Sequence, residues 1–400
     1  MELDILYYRL KSLTAYRALL DEPVLSAALD LLSHLNQNLG EQALDSWAEL
    51  VFRLDQAGFD SLGRWLSNQL RYSDAPWPHA AAKGEVVPHM EERARRDVEV
   101  LSDLAELDSA ALRELLAGLL FPDARAAAEG LPLWSCPASP LSFEGLKAWY
   151  RDHGAGPFAR HRAFLWENGR LLPVPAPDIP APDTLIGYRM QRSQVEENTR
   201  ALLSGRLVNN VLLYGESGTG KSATVKSLLS LPDAEDLRLI EIEKNSVHQM
   251  PQLIRSLFGL RQKFILFIDD LAFDQDDRTY GVLKTILEGG LEPRPANVTI
   301  YATSNRRNLV RQTFSDRAGD EVDRDETIQE KTALADRFGL RICYLGLAMQ
   351  EYLELVEHLA EKEGVRLSKE ELHARAVRWD VRHPGRSPRT AQQFVASLER

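Results

Sequence analysis

At 400 residues the chain is long enough for two or three units that each bury their own core. Its formal net charge of −11 argues against a general nucleic-acid-coating protein, whose affinity comes from Lys and Arg neutralising phosphates, and leaves room only for a local basic surface. Two cysteines, Cys136 and Cys343, provide neither a disulfide framework nor zinc-ligand spacing, and neither a basic, apolar leader nor a membrane-length apolar run is present, so a soluble, cytoplasmic protein that makes no use of a membrane is expected.

Up to about Asp74 apolar residues recur at three- and four-residue spacing, as in Leu25, Ala28, Leu29 and Leu32 and again in Trp47, Leu50, Val51 and Leu54, which predicts helices. Ala75 to Pro88 is rich in Pro, Ala and Gly and reads as a linker, after which Glu91 to Gly130 is helical again, giving an all-α N-terminal region over residues 1–130. Over 131–182 prolines multiply, ending in Pro173-Val174-Pro175-Ala176-Pro177 and Ile179-Pro180-Ala181-Pro182. This predicts a stiff extended connector and places the main boundary near residue 183. Trp134, Trp149 and Tyr150 would suit a peptide groove or a base-stacking surface, but core packing is the commoner use of such residues and no site is assigned to them.

Beyond residue 183 the rhythm changes to short apolar strands between helical patterns: Val208 to Tyr214, Leu237 to Ile242, Phe264 to Ile268, Val298 to Ala302 and Leu340 to Leu345. Continuous apolar strands alternating with helices predict an α/β core with a buried parallel sheet over 183–348. After Ala348 the chain turns helical, with Tyr352, Leu355, Val356 and Leu359 on one face, so a C-terminal helical lid over 349–400 is expected.

Gly215-Glu216-Ser217-Gly218-Thr219-Gly220-Lys221-Ser222 follows the apolar run Val211 to Tyr214 and leads into a helical pattern from Ala223 to Leu229. In that setting the pattern is a phosphate-binding loop rather than an ordinary Gly-rich turn. The glycines let the backbone wrap the phosphates, successive N–H groups and the helix N-terminus face the anionic oxygens, Lys221 adds charge at the β/γ-phosphates, and the Ser222 hydroxyl can ligate Mg²⁺. Phe264 to Ile268 ends in Asp269-Asp270, and a strand of an open α/β sheet delivers such acids to the ligand crevice. There Asp269 would hold Mg²⁺ through water and Asp270 would polarise the attacking water; the competing account is an acidic turn continued by Asp274, Asp276 and Asp277. Thr303-Ser304-Asn305 follows the next strand in the same way. Asn305 is suited to hold both the water and a γ-phosphate oxygen, although Asn after a strand is also an ordinary turn residue.

Together with Leu185-Ile186-Gly187-Tyr188, Leu287-Glu288-Gly289-Gly290, Arg306-Arg307, Leu334 to Leu340 and Ser387-Pro388-Arg389-Thr390-Ala391, these motifs make residues 140 to 400 resemble the AAA+ ATPases. Within them the chain resembles a bacterial family of predicted ATPases, the domain-of-unknown-function 815 family. The resemblance implies a P-loop NTPase core with ATP and Mg²⁺ as cofactors, and Ala223 as part of the loop's contact. It implies Arg337 as an arginine finger reaching a neighbouring subunit's nucleotide, hence a homo-oligomer, ring or filament, and Arg389 as a lid sensor, with Arg386 close enough to compete for that role. Ile186 and Gly187 resemble the adenine-side entry, which favours ATP over GTP. In one departure, many such enzymes carry Asp-Glu whereas this chain has Asp269-Asp270, as replication initiators and helicase loaders do, which points to slow turnover. No aromatic pore-loop signature stands between Leu237 and Phe264, so threading of polypeptides is not supported.

The charged stretch Asp316 to Lys331 reads as a solvated face, or as a charge-matched subunit contact. The lid arginines Arg375, Arg378, Arg382, Arg386 and Arg389 either touch nucleic acid or surround the phosphates. The expected function is hydrolysis of Mg-ATP at a subunit interface to move a protein client or the protein's own N-terminal region. The alternatives are a nucleotide-gated adaptor or loader with little intrinsic turnover, acting on a protein or protein–DNA assembly, and a P-loop kinase, which Asn305, Arg337 and the long lid oppose.

Overall fold

The computed structural model describes residues 3–85, 87–135, 141–181, 185–272, 278–288, 294–305, 334–383 and 385–398. The chain divides into two compact units, Met1–Arg160 and His161–Arg400.

The first unit is helical: α1 (Leu3–Lys11), α2 (Pro23–Asn36), α3 (Gly40–Gln56), α4 (Leu62–Arg71), α5 (Pro76–Ala82), α6 (Pro88–Ala105), α7 (Ser109–Leu119), α8 (Arg125–Glu129), α9 (Phe143–His153) and α10 (Gly156–Arg160). Two stretches differ from the expectation. The linker expected at 75–88 contains α5, because Pro76 sits in the first turn, where its missing N–H costs nothing, and three alanines follow that bury with Trp77. The first part of the expected connector contains α9, capped by the Ser142 hydroxyl, which accepts from the Gly145 N–H at 3.1 Å. Phe143 and Tyr150 on α9 pack with Trp77, whose ring stacks on Phe143 at 4.8 Å and meets Tyr150 edge-on at 5.5 Å. Trp134 and Tyr150 are buried in this unit's core.

Asp97 is an acid inside that core, 1 % exposed. Its Oδ2 accepts from the backbone N–H groups of Thr14, Ala15 and Tyr16 at 2.9, 2.7 and 3.1 Å, fixing the turn that follows α1 onto α6. Removing the carboxylate takes the acceptor from three backbone donors, that of Tyr16 buried, and Asp97→Ala is expected to destabilise the first unit by about 2–4 kcal/mol. Tryptophan fluorescence in urea unfolding of the whole chain is dominated by this unit, since Trp47, Trp65, Trp77, Trp134 and Trp149 lie in it and only Trp166 and Trp379 lie in the second. An unchanged midpoint would show that water satisfies those N–H groups.

The second unit holds a seven-stranded sheet in the order β2-β1-β4-β5-β6-β3-β7, with β1 (Ala163–Glu167), β2 (Arg170–Pro173), β3 (Val211–Gly215), β4 (Leu237–Ile242), β5 (Lys263–Ile268), β6 (Val298–Ser304) and β7 (Leu340–Tyr344). All its pairings are parallel except β1 with β2. Between the strands run α11 (Arg189–Leu203), α12 (Lys221–Ser227), α13 (Met250–Ser256) and α14 (Arg278–Glu288), and the lid consists of α15 (Met349–Lys362), α16 (Lys369–Arg382) and α17 (Pro388–Ala396). The inner strands are buried almost throughout, as apolar strands covered on both faces must be. The lid has its own core, with Tyr352, Leu355, Val356, Ala376, Phe394 and Val395 inward, and Ile186 and Tyr188 pack against it.

The rest of the expected connector belongs to this sheet. β1 runs parallel to β4, with Phe164 opposite Ile240, so the break between units precedes the proline-rich stretch and does not fall near residue 183. Asn168 and Gly169 turn β1 into β2 at φ 50° and 76°, the paired left-handed residues that a two-residue hairpin needs. Pro173 is tolerated because it ends the edge strand. No helix among the described residues is long and apolar enough to cross a membrane.

Candidate functional site

Strands β5, β6 and β3 are adjacent and parallel, with Ile268 opposite Ala302 and Tyr214 opposite Ser304. Their C-terminal ends therefore lie side by side, and the segments that leave them meet in one crevice.

From β3 comes the loop Gly215 to Ser222. Gly215, Gly218 and Gly220 take φ values of 133°, 77° and 89°. A Cβ on Gly215 would run into the Tyr344 carbonyl of β7, and one on Gly218 would come within 2.9 Å of the Arg389 Cβ. The first glycine thus lets the loop close on the sheet and the second lets the lid approach it. The Lys221 ammonium donates to the carbonyl oxygens of Gly215 and Glu216 at 3.2 and 2.6 Å and to Asn305 Oδ1 at 2.9 Å. It is 6 % exposed and makes no ion pair among the described residues. Burial pushes its pKa down, while the charges of Asp270 and then Asp269 push it back up. A buried ammonium held by two backbone carbonyls and an amide oxygen, with no ion pair among the described residues, is the kind of group that an anion would stabilise.

From β5 come the two acids. Ser222 Oγ donates to Asp269 Oδ1 at 2.6 Å, and Thr303 Oγ1 donates to the same oxygen, so one carboxylate is aimed at the loop by two hydroxyls. No group of three His, Cys, Asp or Glu able to hold a metal occurs among the described residues. A cation here would rest on Ser222 and Asp269 and take its other ligands from water and phosphate, which suits Mg²⁺. Asp270 stands at φ 49°, a left-handed conformation that costs a non-glycine residue roughly 1–2 kcal/mol. Its N–H donates to Thr303 Oγ1 at 2.9 Å, and Asn305 Nδ2 donates to its Oδ1 at 2.8 Å. Asn305 therefore joins the lysine of the loop to the second acid.

From the lid comes Arg389. The Ser387 hydroxyl caps α17, accepting from the Thr390 N–H at 3.3 Å, and Pro388 fills the first turn. That cap sets the Arg389 N–H on the Gly218 carbonyl at 3.3 Å and its guanidinium 3.4 Å from Ser217 Oγ. Arg386 lies instead 3.9 Å from Asp380.

These groups enclose a cavity of about 550 Å³ lined by Ile186, Gly187 and Tyr188, by Ser217 through Thr224, by Asp269, Asp270, Thr303 and Asn305, and by Arg192, Leu355, Arg389 and Gln392. Gly215 and Glu216 serve it only through the carbonyls that hold Lys221, and the Glu216 side chain turns to Gly346. Arg337 is not in its own chain's cavity: it is half exposed and pairs with Glu288 at 2.9 Å. Asp274, Asp276, Asp277, Gly289, Gly290, Arg306, Arg307 and the stretch from Asp316 to Lys331 lie outside the described residues. Sequence reasoning attached no role to Thr303, which positions both acids, nor to Arg192 and Gln392. Thr303 sits in a polar run whose strand-end position was legible, whereas nothing in the helical patterns marks the other two.

A parallel sheet with a lysine-bearing loop after β3, acids after β5, a polar residue after β6 and a helical lid that returns an arginine to the loop defines the AAA+ class of P-loop proteins. A family model described as "Protein of unknown function (DUF815)" matches residues 159–400, and the chain belongs to that family. A stretch of 117 residues is 32 % identical to the proteasome-activating nucleotidase of Methanocella arvoryzae, covering 25 % of this chain and 28 % of that protein, so the chain spans under a third of that relative's length. Solved structures of RuvB from Thermotoga maritima, a Holliday junction branch migration motor, align with 17 % identity and a TM-score of 0.38 over 54 % of this chain and 63 % of that one. A mutant of the same RuvB aligns at 0.39 with the same identity and coverage.

Proposed function

We propose that the protein binds Mg-ATP in this cavity and hydrolyses it where two subunits meet, converting the change of state into movement of a protein client or of its own N-terminal unit. One observation carries the reading: the chain of hydrogen bonds from Lys221 through Asn305 to Asp270, beside that from Ser222 to Asp269, on the wall of a single cavity. The loop N–H groups and Lys221 bind the phosphates. Ser222 and Asp269 hold the Mg²⁺, which when bound neutralises charge building on the phosphate oxygens. Asp270 accepts the proton of the attacking water and Asn305 orients that water. Ile186 and Gly187 face the base, Arg389 couples phosphate state to the lid, and Arg337 serves the site of the neighbouring subunit in a homo-oligomer.

Isothermal calorimetry tests the binding step. Wild-type protein takes up ATP only with magnesium present, and Lys221→Ala weakens that uptake at least about 100-fold, since the loop then lacks its one charge at the β/γ-phosphates. A folded wild type that takes up no adenine nucleotide with magnesium would overturn the reading.

A second reading is a nucleotide-gated adaptor or loader with little turnover of its own. What favours it is the short second acid: Asp270 has one carboxylate oxygen engaged by Asn305, which leaves a single oxygen on a short side chain to reach the attacking water. A phosphate-release rate that stays negligible in concentrated protein would decide for the adaptor.

A further inference from the structure

We infer that Arg192 is a purine-holding residue of the nucleotide cavity, its guanidinium lying against the base. The inference rests on the proposed binding of ATP in that cavity. Arg192 stands one turn into α11, directly after the loop that carries Ile186 and Gly187, and lines the cavity with them. Its position follows from how α11 is anchored: the Tyr188 hydroxyl donates to the Leu345 carbonyl at 2.6 Å and Gln191 Nε2 donates to the Cys343 carbonyl at 3.4 Å. These bonds hold the first turn of the helix along the end of β7.

Arg192 is a cation with no paired counter-charge among the described residues. It makes no ion pair and no side-chain hydrogen bond among the described residues. Glu196, one turn further along α11, is engaged by Arg200 at 3.4 Å. Burial lowers the Arg192 pKa, and the nearby charges that act on it are Tyr344, Glu196 and Arg189. A partly desolvated guanidinium facing a cavity is stabilised by an anion or by the face of an aromatic ring.

Two observations choose the ring. Arg192 also lines, with Ile186, Gly187, Tyr188 and Leu355, an adjoining pocket that none of Ser217 through Thr224, Asp269, Asp270 and Arg389 borders, so it lies at the end of the cavity away from the phosphate cradle. The phosphates are already served there by Lys221, by the loop and by Arg389. At the Arg192 end the wall is Ile186, Tyr188 and Leu355, all partly or fully buried and largely apolar, which fits a flat heterocycle better than a second phosphate contact. A guanidinium plane covering one face of the base supplies attraction that every purine shares and that a bare polyphosphate does not.

The test compares Mg-ATP, Mg-CTP and Mg-tripolyphosphate by calorimetry on the full chain. Arg192→Ala is expected to weaken ATP roughly 3- to 30-fold, to reduce the preference for ATP over CTP, and to leave tripolyphosphate unchanged. Arg192→Lys keeps charge and stem without the plane and is expected to fall between, which preserves the test if the alanine variant folds poorly. Equal affinity of wild type and both variants for ATP would overturn the inference while ATP binding stands. A parallel loss of tripolyphosphate would also overturn it by making Arg192 a phosphate contact. Absence of ATP binding in the wild type would remove the inference together with the reading it rests on.

Discussion

Asp270→Asn is expected to bind Mg-ATP as tightly as the wild type while steady-state phosphate release falls by about 100-fold or more. Asn is among the few residues that accept the left-handed conformation Asp270 adopts at φ 49°. Its amide oxygen can accept from Asn305 Nδ2, and its backbone N–H can still donate to Thr303 Oγ1, the two bonds that hold residue 270 now. The cavity wall therefore survives the change and only the proton acceptor is lost. Unchanged release would show that another group activates the water. Loss of binding would place Asp270 in the metal shell, the part assigned to Asp269.

Arg337→Ala is expected to lower turnover about 1,000-fold or more with ATP binding intact, in line with what arginine fingers contribute. The structural basis is where the side chain is not. Arg337 stays out of its own chain's cavity and makes an exposed ion pair with Glu288, which is worth little and is readily exchanged for another partner. Mixing Arg337→Ala with Lys221→Ala should restore part of the activity, because some interfaces then join an intact loop to an intact arginine. Specific activity that stays constant down to a demonstrated monomer would remove the shared site, and so would a mixture that stays silent.

Much of the second unit was legible because its signals are local. The strand, Gly-rich loop and helix order around Lys221 needs no distant partner to be read, and the acids at the end of an apolar strand follow from the geometry of open parallel sheets. The connector expected over 131–182 was misplaced for the same reason in reverse. Its prolines are conspicuous, while Asn168-Gly169 between short apolar runs is a hairpin signal of equal weight. What joins β1 to the sheet is pairing with β4, residues distant in sequence. The helix at Pro76 was hidden by composition too, since its alanines gain their stability by burial beside Trp77.

The sequence by itself determined the class of the core and the places of the glycine-rich loop and the two acids, because strand-to-loop order positions those groups whatever the rest of the chain does. Only the tertiary structure decided that Thr303 aims both acids, that Arg389 meets the loop while Arg386 turns to Asp380, that Arg337 stays outside its own cavity, and that Arg192 lines the cavity with no ion pair among the described residues. Each of these depends on which elements pack side by side. That is settled by burial of apolar faces from distant parts of the chain, and no local pattern records it.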